Sequence, residues 1–169
     1  MRRTDQDHVQ GLYLLKTEPD SYGWDDLERD GSTVWNGVRN NTALKHIRDV
    51  RKGDMAFLYH TGKERRIVGT VRVTSDAYPD PEAETDDLFV FDVEPAERLE
   101  RPVSLSEIKE DPDFAGWDLV RLPRLSVMPV PPELWEKVLV RSASGRPPPA
   151  PGGPSPPPPS RGSGRRRSA

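Results

Sequence analysis

The chain has 169 residues and a formal net charge of −3. It contains no cysteine, which excludes disulfides, thiolate metal sites and cysteine nucleophiles. Five arginines lie in the last 28 residues and leave residues 1–141 with a net charge of −8. This acidic charge argues against broad electrostatic binding to a duplex through Lys and Arg but permits a small, local site.

Composition divides the chain into three parts. Residues 142–169 contain nine prolines, five arginines and no acidic residue, which predicts a disordered tail. Residues 1–10 lack apolar periodicity and predict a disordered lead-in, and residues 11–141 fit one domain with a single core. No apolar run is long enough to span a bilayer, and Arg2 and Arg3 are not followed by the apolar stretch of a secretion signal. We therefore expect a soluble, cytoplasmic monomer without a membrane partner.

The first predicted elements are short. "LYLLKT", residues 12–17, is an apolar strand that Pro19 ends, and a helix follows around Trp24–Arg29, which Gly31 ends. "TVW", residues 33–35, is the next strand. Beyond Gly37 the spacing predicts a helix with these residues on one apolar face: Val38, Leu44, Ile47 and Val50.

The second half of the chain alternates strands and short helices. "MAFLYH" and "RIVGTVRV" predict a hairpin closed by "TGKE", and the acidic loop "AYPDPEAETDD" leads to a further strand, "LFVFDVEPAERLERPV". Ser104 and Glu107 have the spacing of a capping box, which predicts a short helix. "RLPRLSVMPV" predicts a final edge strand and "PPELWEKVLV" a final helix. These elements indicate an α+β fold with a barrel-like sheet.

Motifs for catalysis are not apparent. The three histidines lack metal-ligand spacing, and no glycine-rich phosphate loop or nucleophile elbow is present. The acidic run "DPEAETDD" is more typical of a solvated surface than of a metal site. We therefore predict no catalytic residue, no metal and no cofactor, and the residues themselves favour a binding module.

The four tryptophans are candidates for core or pocket. Trp135 lies in an amphipathic helix and is predicted to pack in the core, whereas the sequence leaves Trp117 undecided. Trp24 and Trp35 lie beside turns near strand ends, where an aromatic ring can stack on a planar base and contribute about 1–3 kcal/mol. For these two residues, core and pocket are about equally supported.

An ordered set of segments resembles a known family. "YLLKTEPDSYGWDDL", "VWNGVRNNTALKHIRDVRKGD", "AFLYHTG", "IVGTVRV", "AYPD", "PVSLSEIK" and "LVRLPRLSVMPV" together resemble the EVE domain, a member of the PUA-like superfamily, over about Leu12–Leu139. The resemblance implies a PUA-like mixed β-barrel with surrounding short helices. It also implies a non-enzymatic reader that binds a modified, flipped-out base, with 5-methylcytosine or 5-hydroxymethylcytosine in DNA favoured.

The same resemblance implies a base-binding site. The pattern carries over to these residues: Lys16, Thr17, Glu18, Trp24, Trp35, Asn36, Gly37, Val38, Arg39, Asn40, Tyr59, His60, Arg124, Leu125 and Ser126. The tryptophans would stack on the base, the short polar side chains would bond its edge, and the following cations would meet flanking phosphates: Lys16, Arg39 and Arg124. Purely structural roles are about as well supported for these residues. Asn40 would cap a helix, Lys16 would snorkel along the apolar surface, and Glu18 would form a salt bridge.

Two other functions compete with this interpretation. PUA-like domains also serve RNA, so recognition of modified RNA or a role in RNA processing is the first alternative. An enzyme that acts on modified nucleotides is the second and weaker one, because a site assembled from distant residues leaves no motif. The arginines of the tail would add nonspecific, salt-sensitive attraction to either nucleic acid, although a tail without a partner is equally compatible with its composition.

Overall fold

A computed structural model describes residues 10–143. The predicted lead-in and tail lie outside these residues, apart from Gln10, Ser142 and Ala143. Seven strands are present: β1 (Leu12–Thr17), β2 (Thr33–Trp35), β3 (Met55–His60), β4 (Arg66–Val73), β5 (Tyr78–Pro79), β6 (Phe89–Ser104) and β7 (Val127–Pro129). The helices are α1 (Trp24–Asp30), α2 (Asn41–Arg48), α3 (Leu105–Lys109), α4 (Asp118–Arg121) and α5 (Pro132–Ala143), with a 3-10 turn at Pro112–Phe114.

All seven strands belong to one sheet with the order β2-β6-β4-β3-β1-β7, and β5 pairs with β6. β1 and β3 run parallel at its centre, while the other pairs are antiparallel. Irregular pairing occurs at Leu58/Tyr59 and twice along β4, and such bulges bend a strand. Helix α2 packs against β7 and β6, near the two ends of the sheet. The mixed α+β class is confirmed, with the sheet curled into a half-barrel.

Local sequence signals explain most element boundaries. Gly31 adopts φ 80° and its N–H donates to the Leu27 carbonyl, which ends α1 where predicted. The capping box at α3 is confirmed, because the Ser104 hydroxyl accepts from the Glu107 N–H at 3.1 Å and the Glu107 carboxylate accepts from the Ser104 N–H at 3.2 Å.

Two predicted boundaries are wrong. Helix α2 begins at Asn41 rather than just beyond Gly37, because Gly37 has φ 81° and the Asn40 side chain caps the helix. Val38 therefore lies outside the helix. The final strand shortens to Val127–Pro129, since the Leu125 N–H donates to the Leu122 carbonyl in a turn that precedes it.

The core is continuous from the sheet to the C-terminal helix. The Trp135 ring stacks on Phe57 with ring centroids 3.9 Å apart, which confirms its predicted core role. Trp117 is also buried, beside Phe114. On the other side of α5, Arg101 and Arg141 both bond the Glu107 carboxylate, at 3.0 and 3.1 Å. These contacts fix α5 against β6 and α3.

Candidate nucleic-acid interface

The carboxyl ends of β1 and β3 bring five predicted site residues together. Their parallel register pairs Lys16 with Tyr59 and Thr17 with His60. On the other side of β1, the Lys16 N–H donates to the Ser126 carbonyl at 3.0 Å. Parallel strands end at the same sheet edge, which is where ligands commonly bind in open sheets. We call this group the strand-end cluster.

Lys16 is the cation of the strand-end cluster. Its Nζ donates to the Pro123 carbonyl at 2.7 Å and lies 5.6 Å from the centroid of the Tyr59 ring. Burial lowers the pKa of Lys16 because it disfavours the ammonium. Burial also raises the pKa of Tyr59, an effect that the charge of Arg65 opposes. The ammonium keeps two donors beyond the one given to Pro123, which suits an anionic group at this edge.

Thr17 and Glu18 differ in how free they are to bind. The Thr17 hydroxyl donates to the Tyr22 carbonyl at 2.6 Å, so it can only accept from a ligand. Glu18 is exposed, and its Oε1 accepts from the Thr61 hydroxyl at 3.0 Å. A carboxylate has further lone pairs, so Glu18 can accept a hydrogen bond from an amino group of a base.

His60 is a structural residue of this site. Its Nε2 accepts from the Trp24 N–H at 3.1 Å, and its Nδ1 lies 2.8 Å from Glu64 Oε1. Because Nε2 accepts, the proton is on Nδ1 and is donated to Glu64, a bond that lowers the pKa of the glutamate. Both ring nitrogens are therefore engaged, and His60 joins the start of α1 to the end of β3.

Trp24 is packed as a core residue and is only 2% exposed. A Cβ added at Gly69 would lie 2.3 Å from the Trp24 ring, so the β4 backbone contacts the ring directly. The Arg98 guanidinium lies 5.7 Å from the ring centroid and pairs with Asp25 at 2.7 Å. Stacking of a base on Trp24, as the resemblance implies, would require Arg98 to move.

The segment from Trp35 to Asn40 makes its contacts with β6 and α2 rather than with the strand-end cluster. Trp35 is 8% exposed and pairs with Phe91 across β2 and β6. Asn36, Gly37 and Arg39 are exposed, whereas Asn40 uses its side-chain oxygen to accept from the Ala43 N–H at 2.9 Å. No hydrogen bond or ion pair between residues 10 and 143 joins this segment to the strand-end cluster.

The segment Arg124–Ser126 reaches the strand-end cluster through its backbone. Arg124 is exposed, Leu125 is buried, and Ser126 is half-buried with its carbonyl bonded to Lys16. The described part of the chain gives Arg124 no hydrogen-bonding partner or carboxylate partner. It is therefore available to contact a phosphate, which is the role that the resemblance implies for it.

A cleft of about 1050 Å³ opens beside Glu18. Its wall continues along the β3–β4 turn, residues 62–65, and the start of α3, and includes three cations: Lys63, Arg65 and Lys109. A second cleft, of about 570 Å³, is lined by Trp24, His60, Arg66 and Arg98. Sequence reasoning missed these cations, although "TGKERR" places Lys63 and Arg65 in the turn directly after His60 and Arg66 at the start of β4.

Residues 10–143 contain neither a helix suited to a membrane nor a side-chain cluster suited to a metal ion. In this part of the chain, no helix combines the length and the apolar character needed to cross a membrane. Nor does it contain a group of three or more His, Cys, Asp or Glu side chains arranged to hold a metal ion.

Comparison with known proteins gives one consistent family. Over 166 residues the chain is 27% identical to thymocyte nuclear protein 1 of Rattus norvegicus, covering 78% of this chain and 74% of that protein. It is 39% identical over 80 residues to the Gallus gallus protein of the same name, an alignment that spans 40% of this chain and only 33% of that protein's length.

Solved structures agree with the sequence comparison. An NMR structure of a Rhodopseudomonas palustris protein superposes with a TM-score of 0.76 at 34% identity, covering 79% of this chain and 94% of that one. The human THYN1 protein, solved in complex with 5-methylcytosine-containing DNA, superposes with a TM-score of 0.73 at 26% identity, covering 79% and 98% of the two chains. The sequence model of the EVE domain matches residues 12–141, and the chain belongs to the EVE domain family.

Proposed function

We propose that this chain is a non-enzymatic reader that binds a modified, flipped-out base in DNA, with 5-methylcytosine or 5-hydroxymethylcytosine as the base. The main support for this function is the likeness to the human THYN1 structure, which contains 5-methylcytosine DNA and superposes over 98% of its length. Its 26% identity and TM-score of 0.73 support a shared ligand class as well as a shared fold.

The strand-end cluster and the adjacent Glu18 support the proposal on chemical grounds. Glu18 offers a carboxylate acceptor, which suits the exocyclic amino group of cytosine, and the Lys16 ammonium offers donors to a carbonyl or phosphate oxygen. An acidic domain with such a local site should bind best where the base is already unpaired or mispaired, because flipping costs a few kcal/mol otherwise.

A role without catalysis is part of the proposal. A general base needs a free acceptor within reach of the reacting proton. His60, the buried histidine of the site, has its Nε2 engaged by the Trp24 N–H and donates its Nδ1 proton to Glu64. This engagement favours binding over acid-base chemistry at the strand-end cluster.

The test is binding of short DNA oligonucleotides that differ only in carrying cytosine, 5-methylcytosine or 5-hydroxymethylcytosine. We expect tighter binding to a modified oligonucleotide, and RNA of the same sequence should compete poorly. Equal affinity for all three DNAs would contradict the reader function, and stronger competition by modified RNA would favour the RNA alternative. Release of a product from any of these substrates would contradict the non-enzymatic role.

Variants should be chosen so that the fold is retained. Trp35→Ala is unsuitable alone, because removing a buried tryptophan costs about 3–5 kcal/mol of stability. Asn36 is exposed and has no hydrogen-bonding partner in the described residues, so Asn36→Ala removes only its amide. Asn41→Ala, at a second exposed asparagine nearby, is the matched control. We expect Asn36→Ala to lower affinity for the preferred DNA and Asn41→Ala to leave it unchanged.

A further inference from the structure

The cleft beside Glu18 has a charged wall that the predicted base site does not include. Lys63 and Arg65 lie in the β3–β4 turn, and Lys109 lies at the end of α3. All three are exposed, and none has a carboxylate partner within residues 10–143. We call these three residues the cationic wall.

Eight cations between residues 10 and 143 are paired with a carboxylate, whereas the three cations of the cationic wall are not. The following cations have such a partner: Arg29, Arg66, Arg72, Arg98, Arg101, Arg121, Lys137 and Arg141. Arg66 directly follows Arg65 in sequence but pairs with Glu64 at 3.3 Å. Three cations that lie on one cleft without a carboxylate partner within bonding distance suit an anionic ligand.

The backbone holds the two parts of the cationic wall side by side. The Leu105 N–H donates to the Arg65 carbonyl at 2.9 Å, and the adjacent residues Arg66 and Ser104 are paired across β4 and β6. Arg65 adopts φ 45°, a left-handed conformation that few residues other than glycine adopt. The turn and α3 therefore have a defined relative position, which limits the cost of ordering the wall around a ligand.

The same cleft begins at the proposed base site. A Cβ at Gly62 would lie 3.0 Å from Glu18 Oε2, so the turn directly abuts the carboxylate. Glu64, the acidic residue of the turn, bonds His60 and Arg66, whereas Glu18 accepts from the Thr61 hydroxyl and has further lone pairs for a ligand. Asp20 also lines the cleft and, like Glu18, comes from the segment that follows β1. One end of the cleft thus suits an amino group and the other a row of phosphates.

We propose that Lys63, Arg65 and Lys109 bind the phosphodiester backbone of the DNA strand that presents the modified base. The inference rests on the proposed reader function and adds the direction in which the strand leaves the base site: from Glu18 along the β3–β4 turn towards α3. Contacts to phosphate position the strand and carry no information about the base. The cationic wall therefore contributes affinity without contributing selectivity for the modification.

The test uses the full chain with Lys63→Gln, Arg65→Gln and Lys109→Gln, singly and together, and a short duplex with or without 5-methylcytosine. Each lost phosphate contact should reduce the slope of log affinity against log salt by about 0.7–0.9. The triple variant should lose about two to three units of slope and bind both duplexes more weakly by the same factor, so that the ratio of the two affinities is unchanged.

Lys52→Gln is the matched control. Lys52 is exposed and precedes β3, so it lies at the opposite end of that strand from the turn. Thermal unfolding of each variant checks that the fold is retained. A Lys63→Gln slope equal to that of Lys52→Gln, together with a triple variant that binds like wild type, would overturn the cationic wall. Lack of preference for the methylated duplex in the wild type would instead overturn the reader function, while the salt slopes would still decide whether the wall contacts DNA.

Discussion

Gly69 and Trp24 are in direct contact across the site, with no space for a side chain between them. A Cβ placed on Gly69 would lie 2.3 Å from Cζ3 and 2.7 Å from Cη2 of the Trp24 ring. Trp24 is held by this contact of its ring and by the hydrogen bond that its backbone N–H donates to His60 Nε2 at 3.1 Å. The indole therefore joins α1 to the sheet at the strand-end cluster.

Gly69→Ala should destabilise the protein, because either the indole or the β4 backbone must shift to admit a methyl group. Overpacking of this kind costs about 1–3 kcal/mol. Gly116→Ala is the control, since a Cβ at Gly116 would meet nothing within 4 Å. Chemical denaturation of both variants measures the difference, and equal free energies of unfolding for the two would contradict the close contact.

This contact illustrates what sequence alone could and could not provide. Strands, helices and caps follow from local patterns, so β1, α1 and the Ser104–Glu107 capping box were predicted closely. The partner of Trp24 could not be predicted in this way, because Gly69 is 45 positions away and only the fold brings the two together. Burial of Trp24 was therefore left open by its sequence context.

The candidate site was also predicted only in part from the sequence. The family resemblance named Lys16, Tyr59 and Ser126, and the parallel register of β1 with β3 brings them together. It did not name Lys63 or Lys109, because exposed cations in a turn and a short helix have no distinctive spacing. Their significance depends on the absence of carboxylate partners within residues 10–143, which requires three-dimensional positions.

Alkaline pH should destabilise the fold through its tyrosines. Burial, together with the charge of Asp54, raises the pKa of Tyr13 to about 12, and a hydrogen bond to Asp92 at 2.7 Å, together with burial, raises that of Tyr78 to about 12. The ordinary value is about 10. Because the pKa is raised on folding, this stabilisation is complete below pH 10 and is lost as pH rises through 12.

A phenolate absorbance titration measures this directly. Tyr13 and Tyr78 should ionise near pH 12 in the folded protein and near pH 10 after denaturation. Tyr78→Phe should remove one ionisation near pH 12 and leave that of Tyr13. Ionisation of all four tyrosines near pH 10 while the fold is intact would refute the assignment.

Asn40 provides a way to separate a structural role from a binding role at the candidate site. Its side chain caps α2 by accepting from the Ala43 N–H at 2.9 Å. Asn40→Ala should cost about 1 kcal/mol of stability, whereas Asn40→Ser retains a good cap. Both variants lack the amide, so on the proposed function both should lose about threefold to tenfold in affinity for methylated DNA, the worth of one hydrogen bond.

Denaturation and DNA binding of the same two variants give the result. Full affinity in Asn40→Ser would assign Asn40 to the helix cap alone, and equal stability of the two variants would contradict the cap itself. Because the two measurements are independent, neither role has to be inferred from the other.

Truncation of the basic C-terminal residues should be made after Ala143 rather than after Arg141. Helix α5 extends to Ala143, and the buried Ser142 hydroxyl accepts from the Arg101 N–H at 3.2 Å. A chain that ends at Arg141 leaves this N–H without its partner, which costs about 1–3 kcal/mol. A chain that ends at Ala143 keeps the bond but still lacks all five arginines of residues 142–169.

Both truncations should therefore lower DNA affinity at low salt equally, while only the shorter chain should unfold at a lower temperature. Thermal unfolding and low-salt binding of the pair separate the two effects. Unchanged DNA affinity after removal of residues 144–169 would show that the tail's arginines do not contact DNA, because the domain itself is left intact.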